Sequence, residues 1–580
     1  MFQLPLLLTI FKDFIYLKKW YYIVYIFSLA GIPIKSIIIP KKFGKITQTI
    51  KQKKSIRNSE VYQQILIIIS LVGIVYLTKV VRHHIIDILW PHYCNYTRDR
   101  ILNIILTRYS VNYESVKTGL LQSKINDLPW ILDENFNIVQ NMAFELSLIL
   151  ISTAIYLFYI NRQLFIIYFA FMVLLIGLCY FYIKKTYPYV FKTEQVFEDY
   201  FEAIDDFLNN LISIYTNNQE VYNIHKIYDI TNSAMDSYNR IIRNNLISES
   251  IYLSLVLVMF SCLVYYGIYL FYKKKINLAV FTSLFVILFS LITHLEIVYK
   301  NSKRLAVNLG NMQTMNTFLD NLPPEDKYKM TRKDTLDSVD DLSIKFINVD
   351  FSFHFTSGTN KREKNKLVYK NFNLWIKPEE HIIITGHIGS GKSTFGKLLI
   401  GLYPLHSGKI IINGKNQNTI MLSSLREKIK YIPQSAILFS DTLYENITYS
   451  IKPPTKKPTS KEILSVLDEL GMTMVRDKFE TMMFHSVGKL GNNLSGGQRQ
   501  IVWLLRCIFD KSKMVILDEP TNNLDPKSKK NVIRLIEKIK KKNKQLIIIT
   551  HDKDFLTTYK HLFNRHLTFQ SGKIIQDDIM

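Results

Sequence analysis

Cysteine is scarce: the 580 residues contain four, Cys94, Cys179, Cys262 and Cys507. Their spacing offers neither a disulfide framework nor a cysteine-based metal site. Acid is also in short supply, with 48 aspartates and glutamates against 73 lysines and arginines and a formal net charge of +25. The lysines are scattered through loops and helix ends beside Ile, Asn and Tyr, so they read as compositional bias, and nucleic acid is not an expected partner. The stretch from Met1 to Ile10 lacks a basic leader and a small-residue cleavage site, which argues against a removable signal peptide. Charge is missing altogether from Leu164 to Ile183 and from Ile251 to Tyr272. A bilayer-spanning helix needs about 20 mostly apolar residues, and both runs qualify.

Further apolar stretches complete a set of six expected spans, at approximately 20–40, 61–81, 144–161, 164–183, 251–272 and 276–298. The first is interrupted by Pro33 and Lys35, and the third is short. Residues 1 to 19 mix Phe, Leu and Ile with Lys12, Asp13, Lys18 and Lys19, a pattern that suits an amphipathic helix lying in the membrane interface. Between the second and third spans, and again between the fourth and fifth, apolar residues recur at helical spacing, as in Phe197, Phe201, Ile204, Phe207, Leu208 and Leu211. These stretches predict helices that continue well beyond the bilayer on one side, with short turns on the other. Lys41, Lys42, Lys45, Lys51, Lys53, Lys54 and Arg57 are expected in a basic loop on the short-turn side, against the positive-inside rule. His294 and Glu296 are the ionisable exceptions near the end of the sixth span.

The second half is different in kind. Residues 342–353 alternate as a strand does, after a charged stretch at 321–341 that reads as a linker. His381 to Thr385 is a short apolar run feeding Gly386-His387-Ile388-Gly389-Ser390-Gly391-Lys392-Ser393, which matches the phosphate-loop pattern G-x-x-x-x-G-K-[ST]. Its glycines let backbone N–H groups turn toward phosphates, and the helix expected from Lys392 adds partial positive charge at its start. Met514-Val515-Ile516-Leu517 is a second buried-strand run, ending in the acids Asp518 and Glu519. Between the two lies Leu494-Ser495-Gly496-Gly497-Gln498.

This combination resembles the ATP-binding cassette (ABC) family, and Leu438-Phe439-Ser440-Asp441-Thr442-Leu443-Tyr444-Glu445-Asn446-Ile447 resembles the version found in its exporters. The implied architecture is an α-helical membrane domain of six transmembrane helices at 1–320, a linker at 321–341, and an α/β P-loop ABC ATPase domain at 342–580. Lys117 to Asp127 resembles the segment leading through the first coupling helix. The resemblance implies ATP and Mg2+ as cofactors. Gly386, Gly389, Ser390, Gly391, Lys392, Ser393 and Thr394 would hold the phosphates, and Phe353 would stack on adenine, with Phe351 as the runner-up. Ser393, Gln434 and Asp518 would serve the metal. Glu519 would be the general base, and Gln434 and His551 would assist at the γ-phosphate. Ser495, Gly496, Gly497, Gln498 and Asp525 would act across a dimer, because in this family the pentapeptide faces the phosphate loop of a partner domain. Lys489 stands where an acid commonly follows Val-Gly in the exporter X-loop.

The implied function is ATP-driven export of a lipid, peptide or hydrophobic compound by a dimer in a lipid bilayer, with the ATPase in the cytosol. A homodimer is the favoured assembly and a heterodimer the alternative. An ATP-gated channel or regulatory subunit, an organelle importer of acyl groups, and a soluble cassette protein remain as rival readings.

Overall fold

The structure is a computed structural model and describes residues 6–53, 59–111, 118–138, 144–323, 325–326, 328–336, 341–355 and 364–580. The chain divides into two units, Met1–Leu106 with Ser115–Leu322, and Thr107–Glu114 with Pro323–Met580.

The first unit is entirely helical among its described residues. It runs through α1 (Leu6–Leu17), α2 (Lys19–Ser28), α3 (Gly31–Pro33), α4 (Ile39–Lys53), α5 (Ser59–Tyr109), α6 (Thr118–Ile138), α7 (Ser147–Ile160), α8 (Arg162–Asn209), α9 (Leu211–Thr216), α10 (Glu220–Asn232), α11 (Met235–Tyr272) and α12 (Leu278–Asp320). Apolar runs of this length satisfy their backbone polar groups internally only as helices. Among the described residues, five helical stretches are long and apolar enough to cross a membrane: Lys19–Gln52, Glu60–Tyr109, Arg162–Asn209, Glu220–Tyr272 and Leu278–Asp320. Phe144–Ile160 is a shorter apolar helix. The turn between the third and fourth apolar helices is one residue, Asn161, whose side chain accepts from the Gln163 N–H (2.8 Å) and caps α8.

The first span does not stop at Pro33. Proline lacks the N–H that would continue the ladder, and Ile34–Ile38 winds as a π-turn that carries the chain into α4. The expected basic loop is therefore corrected: Lys41, Lys42, Lys45 and Lys51 lie on α4, which runs to Lys53, and Lys54 and Arg57 fall outside the described residues. Polar pattern misled here, because α4 packs against α12 and its lysines project from a helix. α1 is a helix with Ile10 and Phe14 buried, and Phe14 meets the ring of Tyr93 at 5.2 Å.

The unit's core lies between α7, α8, α11 and α12, where Leu157, Leu164, Tyr252, Leu263 and Leu295 are fully buried. Tyr252 donates to the Leu295 carbonyl (3.0 Å) and Tyr156 shares a hydrogen bond with Ser283 (2.6 Å), so these two buried hydroxyls are satisfied. Buried Lys124 on α6 pairs with Glu198 on α8 and donates to Thr314 on α12 (3.1 Å). Glu296 is exposed, and His294 binds the Ser290 carbonyl one turn back (2.6 Å).

The second unit contains two sheets. An antiparallel one has the order β2-β1-β4-β5, from β1 (Ile344–Phe355), β2 (Lys364–Ile376), β4 (Ser407–Ile412) and β5 (Lys415–Asn416). The other has the order β10-β9-β3-β8-β7-β6, from β3 (Ile382–Gly386), β6 (Ile429–Ile432), β7 (Met514–Asp518), β8 (Gln545–Ile549), β9 (Arg565–Gln570) and β10 (Lys573–Ile579). Its strands β9, β3, β8, β7 and β6 pair in parallel. Helices cover this sheet: α13 (Lys392–Leu399), α14 (Leu422–Lys428), α15 (Leu443–Thr448), α16 (Ser460–Glu469), α17 (Thr473–Met482), α18 (Gly496–Phe509), α19 (Pro526–Lys541) and α20 (Asp554–Thr557). Every residue of β7 and β8 is buried, as continuous apolar runs in a parallel sheet must be.

Within this unit the stretch from Asp326 to Leu336 is tied down. Arg332 Nε meets Asp326 (2.5 Å) while its Nη1 donates to the Gln417 and Ile420 carbonyls, and Leu336 is buried. The Arg426 guanidinium donates to the Ser110 carbonyl (2.8 Å). Residues 356–363 lie outside the described residues, and β2 begins at Lys364.

Candidate functional site

Parallel sheets present their ligand sites beyond the carboxyl ends of the strands. Here Gly386 closes β3, Asp518 closes β7 with Glu519 directly after, and His551 follows β8. Gln434 follows β6. A cleft of about 610 Å3 gathers Phe353, Gly386, Gly389, Ser390, Gly391, Lys392, Ser393, Thr394, Gln434, Glu519 and His551, with His387, Ile388, Val368 and Asn522 alongside.

The phosphate loop is held by contacts that local sequence does not announce. Gly386 sits at φ 141°, and a Cβ there would fall 2.1 Å from the Phe569 carbonyl oxygen, so no side chain fits. Gly391 is the left-handed residue opening α13. Fully buried Tyr369 donates its hydroxyl to the Gly391 carbonyl (2.7 Å), and Gly572 N–H donates to the Ser390 carbonyl (3.1 Å). Lys392 is buried and donates to the carbonyls of Gly386 (2.7 Å) and His387 (3.0 Å). Burial lowers its pKa, opposed by Glu519 and Asp518.

The acids differ in role. Asp518 is 2% exposed; its Oδ2 accepts from the Tyr431 hydroxyl (2.6 Å), while its Oδ1 is buried without a hydrogen bond. Burial raises its pKa, and the Tyr431 and Ser393 hydroxyls pull it back down. Glu519 adopts a positive φ of 50°, a conformation that non-glycine residues take at a cost and that clusters at functional sites. Its Oε1 meets His551 Nδ1 at 2.8 Å, and its Oε2 is 3.4 Å from the His551 N–H. Glu519 is thus aimed by His551, with its side chain only 13% exposed against 63% for the histidine.

The residues present fit a magnesium nucleotide. The Ser390 hydroxyl is also buried without a hydrogen bond, so the loop and Asp518 each hold an orphaned polar atom. When bound, the nucleotide would supply the phosphoryl group and Mg2+ the divalent charge that screens it. Phe353 lines the cleft and packs edge-on to Tyr403 (5.3 Å), whereas Phe351 is buried in the core, which separates the two aromatic candidates.

The remaining expected residues lie elsewhere. Ser495 caps α18, its hydroxyl accepting from the Gln498 N–H (3.3 Å) and the Gln498 Oε1 accepting from the Ser495 N–H (3.0 Å). Gln498 is therefore engaged within the chain, where its Oε1 also accepts from Lys478 (3.0 Å). Asp525 caps α19 through the N–H groups of Lys527 and Ser528, both at 3.0 Å. A Cβ on Gly497 would sit 2.7 Å from Ser528, whereas one on Gly496 would meet nothing nearer than Leu524 at 3.9 Å. The two helix starts therefore adjoin, and none of these residues lines the cleft. Lys489 is exposed at the start of a short 3-10 turn.

Sequence reasoning missed Tyr369, Tyr431 and the direct Glu519–His551 contact. Only the last had a signal, since both residues end adjacent strands of one sheet.

Residues 369–522 match the family described as ABC transporter. Over 187 residues the chain is 35% identical to the multidrug resistance-like ATP-binding protein MdlB of Buchnera aphidicola, covering 32% of this chain and 31% of that protein. It is 33% identical over 259 residues to an ATP-dependent lipid A-core flippase of Neisseria gonorrhoeae, covering 45% and 38%. It is 32% identical over 207 residues to the mitochondrial iron-sulfur clusters transporter ATM1 of Debaryomyces hansenii, covering 35% and 28%. The chain thus aligns with 28% to 38% of the length of these three curated relatives. In three dimensions it is similar to a bacterial Atm1-family ABC exporter with ATP bound, at a TM-score of 0.78 and 16% identity over 96% of this chain and 94% of that one. Residues 369–522 thus carry an ABC transporter ATPase domain, and the fold, helical membrane region first and ATPase second, is similar to that of an ABC exporter.

Proposed function

We propose that this protein is one half of an ATP-driven exporter, in which two copies close on two ATP molecules in the cytosol and move a lipid, peptide or hydrophobic compound across a bilayer. The observation that carries this reading is a division of labour. The cleft holds the phosphate loop, Glu519 and His551, while Ser495 and Gly496 stand at the start of α18, away from it. One chain therefore leaves each site short of a wall that a second chain can supply. Open space at Gly496 suits such an approach, because nothing among the described residues requires a glycine there.

Hydrolysis is phosphoryl transfer to water, for which a protein mainly supplies position and charge. In this reading Glu519, which His551 contacts at 2.8 Å, accepts the proton of the attacking water. Lys392 and the N–H groups of α13 offset phosphate charge. The names of the relatives speak of lipid A-core, iron-sulfur clusters and multidrug resistance.

The test is ATPase activity of the purified full chain in lipid vesicles, wild type beside Glu519→Gln, screened with lipids, peptides and hydrophobic drugs. Expected are cooperative hydrolysis stimulated by one cargo class and a fall of about 100-fold or more in the variant, with ATP binding retained. Unimpaired hydrolysis by Glu519→Gln would remove the assignment of the base.

A further inference from the structure

We infer that Tyr431 is a positioning residue for the metal-side acid, tying the strand that leads into the Gln434 loop to Asp518; this rests on the ATP–Mg2+ reading of the cleft. The tyrosine lies on β6, which pairs in parallel with β7 and sets Tyr431 opposite Ile516 and Ile432 opposite Leu517. That register brings its hydroxyl to the end of β7, where it donates to Asp518 Oδ2 at 2.6 Å. The other oxygen, Oδ1, is buried and makes no hydrogen bond. A carboxylate with one oxygen anchored cannot exchange its two oxygens by rotation, so the same one stays available for a cation or its water. Hydrogen bonds to a charged acceptor are stronger than neutral ones, which suits the contact to this task.

The ring does a second job. A Cβ on Gly396 would fall 2.8 Å from the Tyr431 ring, so the aromatic face lies directly against α13, the helix that starts at Lys392. Gln434 follows three residues later and lines the same cleft. One side chain thus touches the phosphate-loop helix and the metal-side acid, and its own strand delivers the glutamine.

Tyr431→Phe keeps the ring against Gly396 and removes only the hydroxyl. The full chain in lipid nanodiscs is titrated with a fluorescent ATP analogue, first in EDTA and then at fixed nucleotide with rising Mg2+, and its melting is followed without nucleotide. Expected for Tyr431→Phe are unchanged melting, EDTA affinity within about two-fold of wild type, and a Mg2+ half-point raised about ten-fold. Coincident Mg2+ curves for variant and wild type would overturn the inference. So would an equal loss of affinity with and without Mg2+ together with lowered melting, because that reports a packing role only. If wild type itself showed no Mg2+ dependence of binding, the ATP–Mg2+ reading would fail, a result separable from the others.

Discussion

The two glycines at the start of α18 make opposite demands, and alanine at each tests the division of labour between cleft and helix start. At Gly497 an ideal Cβ lies 2.7 Å from both Cβ and Oγ of Ser528, far inside the 3.5–4.0 Å at which carbon atoms attract. Ser528 cannot simply rotate away, since its Cβ is part of the clash and its N–H is bound to Asp525. Overpacking of this kind costs about 1–3 kcal/mol, against a helix-propensity gain of up to about 1 kcal/mol for replacing glycine by alanine. The net for Gly497→Ala is a loss of about 1–2 kcal/mol. At Gly496 the nearest atom is 3.9 Å away, so Gly496→Ala keeps or slightly raises stability, by up to about 1 kcal/mol. Chemical unfolding of the nucleotide-free protein, followed on the ATPase unit, reads both values. ATPase assays should then rank them in reverse: Gly496→Ala, stable, loses most of its activity because its methyl meets the second copy. Adding Ser528→Gly to Gly497→Ala should recover most of the lost stability. Equal unfolding midpoints for the two alanine variants would refute the packing argument, and wild-type turnover by Gly496→Ala would refute the proposed approach of a partner.

Other expectations follow from single contacts. His381 Nδ1 accepts from the Leu546 N–H (3.2 Å), and burial, with Lys540 nearby, brings its pKa down to about 4. The folded state resists protonation that the unfolded chain accepts near its ordinary value, so stability is full above about pH 6.5 and falls as pH drops toward about 4. Discounted for the partly solvated ring, the loss is about 1–2 kcal/mol, and unfolding scans of His381→Gln should be flatter over that window. Tyr369→Phe removes the hydroxyl bond to the Gly391 carbonyl, which keeps its bond from Phe395 N–H (3.0 Å); a cost of about 1 kcal/mol and a few-fold weaker ATP affinity are expected from calorimetry.

Much of the site was legible because its chemistry is local in sequence. A phosphate loop needs its glycines, lysine and serine within one turn, and Asp518 and Glu519 must follow a buried strand directly. Ser495-Gly496-Gly497-Gln498 carries a second local message: it also spells a capping box, which the glutamine closes within the chain. The lysines of α4 were misplaced by a local reading. A run of charge looks like a loop until another helix is known to pack beside it, as α12 does.

The sequence by itself determined the helical membrane half, the ATPase half and which residues to look for around the phosphate loop, because apolar length and short-range motif geometry are properties of contiguous residues. Only the tertiary structure decided that Phe353 rather than Phe351 lines the cleft, that His551 aims Glu519, and that Tyr431 holds Asp518 across a separation of 87 residues. Those relations depend on strand order in a parallel sheet, β6 beside β7 and β7 beside β8. Strand order is chosen by long-range packing, which no window of contiguous residues contains.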